Sequence, residues 1–331
     1  MIPLLRVENL VVRFPIGGTL ARLTGNASSI EGVADVSFNL MPGETLALIG
    51  ESGSGKTTLA RAIAGLGKDV SGVVEFEGRA LQSLDREGRH KMRRDVAMIF
   101  QDAVSSLSPR FNVRSLIAEP FHIHGVKCDD LDAEVERLLG LVGLSPAIAD
   151  RYPHELSGGQ ARRVGVARAI ALSPKLIIAD EPTAGLDVSV QSEVLNLLNE
   201  LRERLNLSVL VITHNLNIVR HIADKMAIMY LGRFVEQGET DAIFHQPKHP
   251  YSAALLAANP LINPQERPER LTLKGEVPSI LARPSGCELH GRCPFVQDVC
   301  VGQVPVYTKD AEGRSYSCHF PLSPAGTTPI N

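Results

Sequence analysis

Eight consecutive residues, Gly50-Glu51-Ser52-Gly53-Ser54-Gly55-Lys56-Thr57, constrain this chain more than any other feature. They match the phosphate-binding loop pattern, and the required context is present. An apolar strand is expected just before, over residues 45–49, and a helix just after, over residues 57–65. The glycines let successive backbone N–H groups turn inward around phosphate oxygens, and the helix adds the positive end of its dipole. Lys56 is predicted to bridge the β- and γ-phosphates, with the Thr57 hydroxyl on Mg²⁺ and Thr58 next to it. A chance glycine-rich turn would not be flanked by these two elements. Nucleotide binding is the expectation.

The rest of the chain fits an α/β sheet around this loop. Residues 4–14 and 33–40 alternate like strands, and residues 16–32 read as a loop insertion or loose hairpin between them. Short apolar runs at 96–100, 176–179 and 208–213 fit parallel strands buried on both faces. Residues 191–205 repeat apolar side chains at helical spacing, which is core packing. The segment between Gln101 and Leu172 reads as an inserted helical lobe. Each run ends in a polar group: Gln101, then Asp180 and Glu181, then His214. In open parallel sheets ligands bind beyond the carboxyl ends of the strands, so these groups are expected on one rim.

Two acids ending a buried strand suit metal and water. Asp180 is predicted to hold Mg²⁺ and Glu181 to act as general base on the attacking water. A surface acid pair before a helix is the bland alternative, as acids favour a helix N-terminus. His214 would face the γ-phosphate, although a lone histidine is commonly an ordinary satisfied side chain.

Leu156-Ser157-Gly158-Gly159-Gln160 resembles the signature of ABC ATPases, and a full set of motifs falls into order around it. The set is Phe14, the phosphate loop, Gln101, the signature, Asp180-Glu181, Ala184-Gly-Leu-Asp187 and His214. The resemblance spans roughly residues 4–240. It implies a P-loop ABC ATPase fold: a RecA-like parallel-sheet core, an antiparallel β subdomain and an inserted helical subdomain over about 102–172. It also implies two cassettes head to tail with ATP between them. Ser157, Gly158, Gly159 and Gln160 would then serve the partner's ATP, Phe14 would stack on adenine, Gln101 would sense Mg²⁺, and Asp187 would communicate across the dimer. The Asp187 loop reads Ala-Gly-Leu-Asp where Ser-Ala-Leu-Asp is commoner, but keeps the acid.

Several segments resemble the ATPase subunits of oligopeptide, dipeptide and nickel importers. They include Ser106-Leu-Ser-Pro109-Arg110, Tyr152-Pro-His-Glu155, Asp187-Val-Ser-Val-Gln191 and His249-Pro-Tyr251. This places an ABC nucleotide-binding domain at 1–245 and an importer-type extension at 246–331. The implied partners are a second, different ABC ATPase chain, two transmembrane permease subunits and an extracytoplasmic solute-binding protein acting indirectly. A soluble ABC-type ATPase of DNA repair or chromosome maintenance is the competing reading. Those chains usually carry long insertions between loop and signature, and the roughly one hundred residues here leave no room for one.

Composition narrows the partners further. Among 331 residues the formal net charge is only −3, so no global basic field argues for nucleic acid. No stretch reaches the length of a membrane span and the N-terminus lacks a signal-peptide layout, so the chain is expected at the cytoplasmic face of the membrane as a peripheral subunit.

Four of the five cysteines, Cys287, Cys293, Cys300 and Cys318, crowd the extension, while Cys128 stands alone. The spacing Cys-x5-Cys-x6-Cys-x17-Cys matches neither a zinc ribbon nor the ferredoxin run, and four thiolates suit Zn²⁺ or a [4Fe–4S] cluster equally. His290 and His319 are spare candidate ligands. In some relatives of this importer family the corresponding cysteines carry a [4Fe–4S] cluster, which the resemblance implies here as one reading, and reduced cysteines without metal are the other.

Overall fold

The structure is a computed structural model describing residues 2–16, 28–102, 105–258 and 271–323. In chain order its elements begin with β1 (Leu5–Ile16), β2 (Ser28–Leu40), β3 (Thr45–Ile49), α1 (Lys56–Ile63), β4 (Val70–Phe76) and β5 (Arg79–Ala80). Next come α2 (Arg86–Asp95), β6 (Val96–Ile99), α3 (Val113–His124), α4 (Leu131–Leu141), α5 (Gly158–Ile170), β7 (Leu176–Asp180), α6 (Val188–Leu205) and β8 (Ser208–Ile212). The last part holds α7 (Leu216–Ile222), β9 (Lys225–Tyr230), β10 (Arg233–Glu239), α8 (Thr240–His245), α9 (Pro250–Ala258), α10 (Asp298–Gly302), β11 (Thr308–Lys309) and β12 (Ser315–Tyr316).

These elements gather into two compact units. One comprises residues 1–6, 39–45 and 74–212, and the other residues 7–38, 46–73 and 213–331.

In the first unit β6, β7 and β8 form a parallel ladder, with Ile99 opposite Ala179 and Asp180 opposite Ile212. β7 and β8 are buried along their whole length, which is why their sequences run apolar instead of alternating. The same ladder explains Asp180 and Glu181: the last paired residue is an acid, and the next leaves the strand. Helices α3, α4 and α5 pack on one another to form the helical lobe. Their facing residues include Leu116, Ile117, Leu138, Leu139, Val164 and Ala167, all buried. Helix α6 buries Val194, Leu195, Leu197, Leu198 and Leu201, and begins three residues earlier than the apolar spacing suggests. The end of β4 pairs antiparallel with β5, Glu75 opposite Ala80.

In the second unit β3 pairs parallel with β9, and β9 forms an antiparallel hairpin with β10. β12 adds to the other side of β10, Glu236 opposite Tyr316, so the C-terminal extension completes this sheet.

The expected loop over 16–32 needs correction at its end, because residues 28–32 already belong to β2. Residues 17–27 lie outside the described part. Gly32 was the misleading signal. It is a packing glycine within a strand, since a Cβ there would stand 2.6 Å from the Phe14 ring. Among the described residues no helix is long and apolar enough to cross a membrane.

Candidate phosphate-binding and signature sites

The phosphate loop leaves β3 and enters α1 through Gly55, whose φ of +104° only glycine adopts without strain. A Cβ on Gly55 would also lie 2.4 Å from the carbonyl oxygen of Gly32. The loop is tied down by Gly232, whose N–H donates to the Ser54 carbonyl at 2.9 Å. Lys56 is buried, and its Nζ donates to the carbonyls of Gly50 at 2.8 Å and Glu51 at 2.9 Å, and to Ser54 Oγ at 3.2 Å. The ammonium is thus folded over its own loop and held there by neutral oxygens. An anion with phosphate geometry offers stronger, charge-assisted partners for the same three donors.

Two other expected contacts lie in the same unit. Phe14 is 45% exposed and packs beside Gly32, and a Cβ on that glycine would meet both the Phe14 ring and the Thr58 methyl. His214 is exposed and follows Thr213, whose N–H donates to Leu48 two residues before the loop begins. Phe14, Gly50 to Thr58 and His214 therefore gather around one strand-to-helix turn. Ser52 and Gly53 are exposed at its tip, and Thr57 is half-buried.

The remaining motifs belong to the first unit. Asp180 is buried at the end of β7. Glu181 has a φ of +48° and donates its N–H to the Ile212 carbonyl at 2.9 Å. A left-handed backbone at a residue that is not glycine, asparagine or aspartate is uncommon, and such strain concentrates at functional sites. Gln101 and Asp187 are exposed.

The signature segment caps helix α5. Ser157 Oγ accepts the Gln160 N–H at 3.2 Å, and Gln160 Oε1 accepts the Ser157 N–H at 3.1 Å, a reciprocal capping box. Ser157 and Gly158 are exposed, so the helix end with its aligned N–H groups faces solvent.

Arg162, two residues after the signature, carries no role in the motif reading. It is buried, and its guanidinium donates to the carbonyls of Gln101 at 3.2 Å, Ala184 at 3.0 Å and Pro182. One side chain thereby joins the signature helix to the segments after β6 and β7. Burial acts to lower its pKa and Asp102 acts to raise it, with burial the larger effect. Arginine keeps its charge regardless. The signal available in the sequence was the buried helical phase of position 162, which the basic side chain masked.

The extension carries a further cluster. Cys287, Cys293, Cys300 and Cys318 line one small pocket with His249, His290 and His319 at its wall. All four thiols are free. Burial pushes Cys287 up to about 11 and Cys318 up to about 12, and raises Cys293 as well, so these thiols are protonated at neutral pH. Sharing a pocket is a looser condition than converging on one ion: among the described residues no group of three or more His, Cys, Asp or Glu forms a ready metal-ligand set. The iron–sulfur expectation therefore finds a shared pocket but no metal-ligand set among the described residues. Cys128 is exposed and its thiol sits on the Asp130 carbonyl at 3.4 Å.

Comparison with known proteins gives two family matches. The model described as ABC transporter covers residues 33–184, and that described as oligopeptide/dipeptide transporter, C-terminal region, covers residues 235–300. The chain is 42% identical over 322 residues to the oligopeptide transport ATP-binding protein AppF of Bacillus subtilis, covering 96% of this chain and 97% of that one. It is 41% identical over 307 residues to OppF of Escherichia coli, with 92% of each chain covered. Over 280 residues it is 45% identical to the glutathione import ATP-binding protein GsiA of Escherichia coli, covering 84% of this chain and 44% of that one. Among solved structures, the dimeric ATP-binding cassette MJ0796 bound to ADP and Pi superposes with a TM-score of 0.63 at 27% identity, covering 71% of this chain and 98% of that one. The DNA-repair reading finds no support among these relatives.

Proposed function

From the chain's membership of the ABC transporter family, as an ATP-hydrolysing subunit of the oligopeptide/dipeptide import branch, we propose how its residues divide the work. Lys56 and the backbone N–H groups of residues 50–58 hold the nucleotide phosphates, and Phe14 stacks on the adenine. Thr57, Asp180 and Gln101 attend to Mg²⁺. Glu181 takes the proton from the attacking water, and His214 contacts the γ-phosphate. Ser157 to Gln160 donate to the nucleotide of a partner cassette, with Asp187 at the same interface. The observation that carries this reading is Lys56, gathered over its loop by three neutral acceptors that a phosphate can replace.

With MgATP bound, a helix N-terminus aimed at the γ-phosphate adds positive potential where charge shifts during hydrolysis. Glu181 accepts a proton at its carboxylate, and the left-handed backbone at its Cα sets the direction of that side chain.

We assign the partners as a second, different ABC ATPase chain and two membrane permease subunits, with a solute-binding protein outside the membrane and this chain on the cytoplasmic face. The reading extends to a [4Fe–4S] group on Cys287, Cys293, Cys300 and Cys318, supported by the shared pocket. Such a group would supply a structural cross-link of the extension. Anaerobic purification with visible absorbance and bound iron supports it, and neither iron nor absorbance refutes it.

The test of the whole reading is gentle detergent extraction of the tagged chain. Two polytopic membrane proteins and a second ABC ATPase are expected to co-purify. Recovery of soluble partners alone would remove the transporter assembly and leave the ATPase.

A further inference from the structure

Glu51 is the second residue of the phosphate loop, and each of its polar groups is held by a different residue. Its carboxylate receives the fork of Arg292, Nη1 to Oε2 at 3.0 Å and Nη2 to Oε1 at 3.3 Å. Its N–H donates to the Tyr251 hydroxyl at 3.0 Å. Its carbonyl accepts Lys56 Nζ at 2.9 Å. Two of these three partners come from the C-terminal extension, more than 190 residues away: the separations are 241 for Arg292 and 200 for Tyr251.

Both partners are built in from below. Tyr251 is fully buried, and the Arg292 side chain is only 11% exposed. The Tyr230 ring packs against Tyr251 at 4.8 Å between centroids, and Arg292 lies 5.8 Å from the centroid of the same ring. A guanidinium set over an aromatic ring and forked on a carboxylate has little freedom left to lose, so the pair is more than a loose surface contact.

A carboxylate in a loop that receives polyphosphate is a liability. Unneutralised, it repels the ligand through a poorly screened, partly buried path. Arg292 removes that charge, and Tyr251 fixes the backbone on which the carboxylate rides. Resting on the reading that this loop binds ATP, we propose that Arg292 and Tyr251 are positioning residues for nucleotide binding. Through them the C-terminal extension clamps Glu51, neutralising the loop and holding it open to phosphate.

The clamp also shares its footing with the thiol pocket. Arg292 directly precedes Cys293 and Tyr251 directly follows Pro250, and Cys293 and Pro250 both line that pocket. Loosening the extension therefore reaches the nucleotide without any extension residue touching it.

The test is equilibrium binding of a fluorescent ATP analogue with Mg²⁺ to the full-length chain at fixed salt. Arg292→Gln is expected to weaken binding about tenfold, the effect of one lost charge-assisted pair. Arg292→Gln combined with Glu51→Gln recovers most of that loss, because no uncompensated charge remains, and Arg292→Lys falls between. In the assembled ATPase, KM for ATP rises in Arg292→Gln while kcat holds, which general loss of structure would not produce. Tyr251→Phe removes one oxygen and keeps the ring, and is expected to weaken binding about threefold. It carries the test if Arg292→Gln does not fold. Unchanged binding by Tyr251→Phe together with Arg292→Lys, or a double variant as weak as Arg292→Gln, overturns the clamp. A wild-type chain that binds no nucleotide overturns the ATP-site reading instead.

Discussion

Arg162 donates its Nη2 to the main-chain carbonyl of Gln101 at 3.2 Å, so a residue just beyond strand β6 is held by the helix that begins within the signature. The same guanidinium also serves Pro182 and Ala184. Three carbonyls in two segments that the sequence separates by up to 83 positions, from 101 to 184, share this one side chain.

Replacing it leaves those carbonyls without their partner in a buried place. Arg162→Ala is expected to lower unfolding stability by about 3 kcal/mol, as for other buried hydrogen-bonded charges that lose one side. Arg162→Lys keeps charge but lacks the fork, and should recover less than half. Urea denaturation of the two variants measures this, and equal stability of wild type and Arg162→Ala would show the carbonyls to be satisfied otherwise.

For Glu181 the expectation is a separation of binding from turnover. Glu181→Gln keeps the side-chain shape and removes the proton acceptor, so kcat should fall by about 10²–10⁴-fold. Nucleotide affinity should remain, and the two-cassette form should accumulate with ATP. Undiminished turnover in the assembled transporter would take the role of base away from this residue.

Gly55→Ala tests the loop itself. Its φ of +104° and a Cβ position 2.4 Å from the Gly32 carbonyl add conformational strain to a backbone collision. ATP binding should fall below detection while the far-UV circular dichroism stays near wild type. Retained affinity would mean that the loop has a second workable shape.

Glu236 supplies a pH prediction. It is wholly buried in β10, its oxygens accepting the N–H groups of Lys248 at 2.8 Å and His249 at 2.9 Å. Burial nevertheless raises its pKa, the hydrogen bonds offsetting only part of that effect. Between the ordinary glutamate value and the raised one, the folded chain keeps a proton that the unfolded chain has released. The stability from this group is therefore full below that window and is lost as pH rises through it. Glu236→Gln lacks the slope, so the difference in Tm between wild type and variant should move toward the variant from pH 5 to pH 8. A difference independent of pH would contradict the shift.

Much of this molecule is written locally. The phosphate loop is a single run of eight residues, and the strands β3, β7 and β8 announce themselves by unbroken apolar sequence because both faces are covered. The signature is contiguous too, and its capping box is a short-range device. What escaped the sequence is long-range. A lone arginine carries no periodic mark, and nothing near Arg292 indicates Glu51, 241 residues before it. Tyr251 belonged to a motif noticed for its resemblance, and its hydroxyl contact with the loop came only with the fold. Gly32 misled for the opposite reason. Glycine signals a turn in a sequence, whereas here a neighbouring ring left no space for a side chain.

The capping box at the signature also decides how the Ser157 hydroxyl presents itself. Its oxygen accepts the Gln160 N–H, which takes one of its two lone pairs and leaves the O–H to donate. A hydroxyl so engaged can donate to an acceptor such as a phosphoryl oxygen. In the proposed two-cassette arrangement this hydroxyl would add one donor to the N–H groups that the helix start already presents.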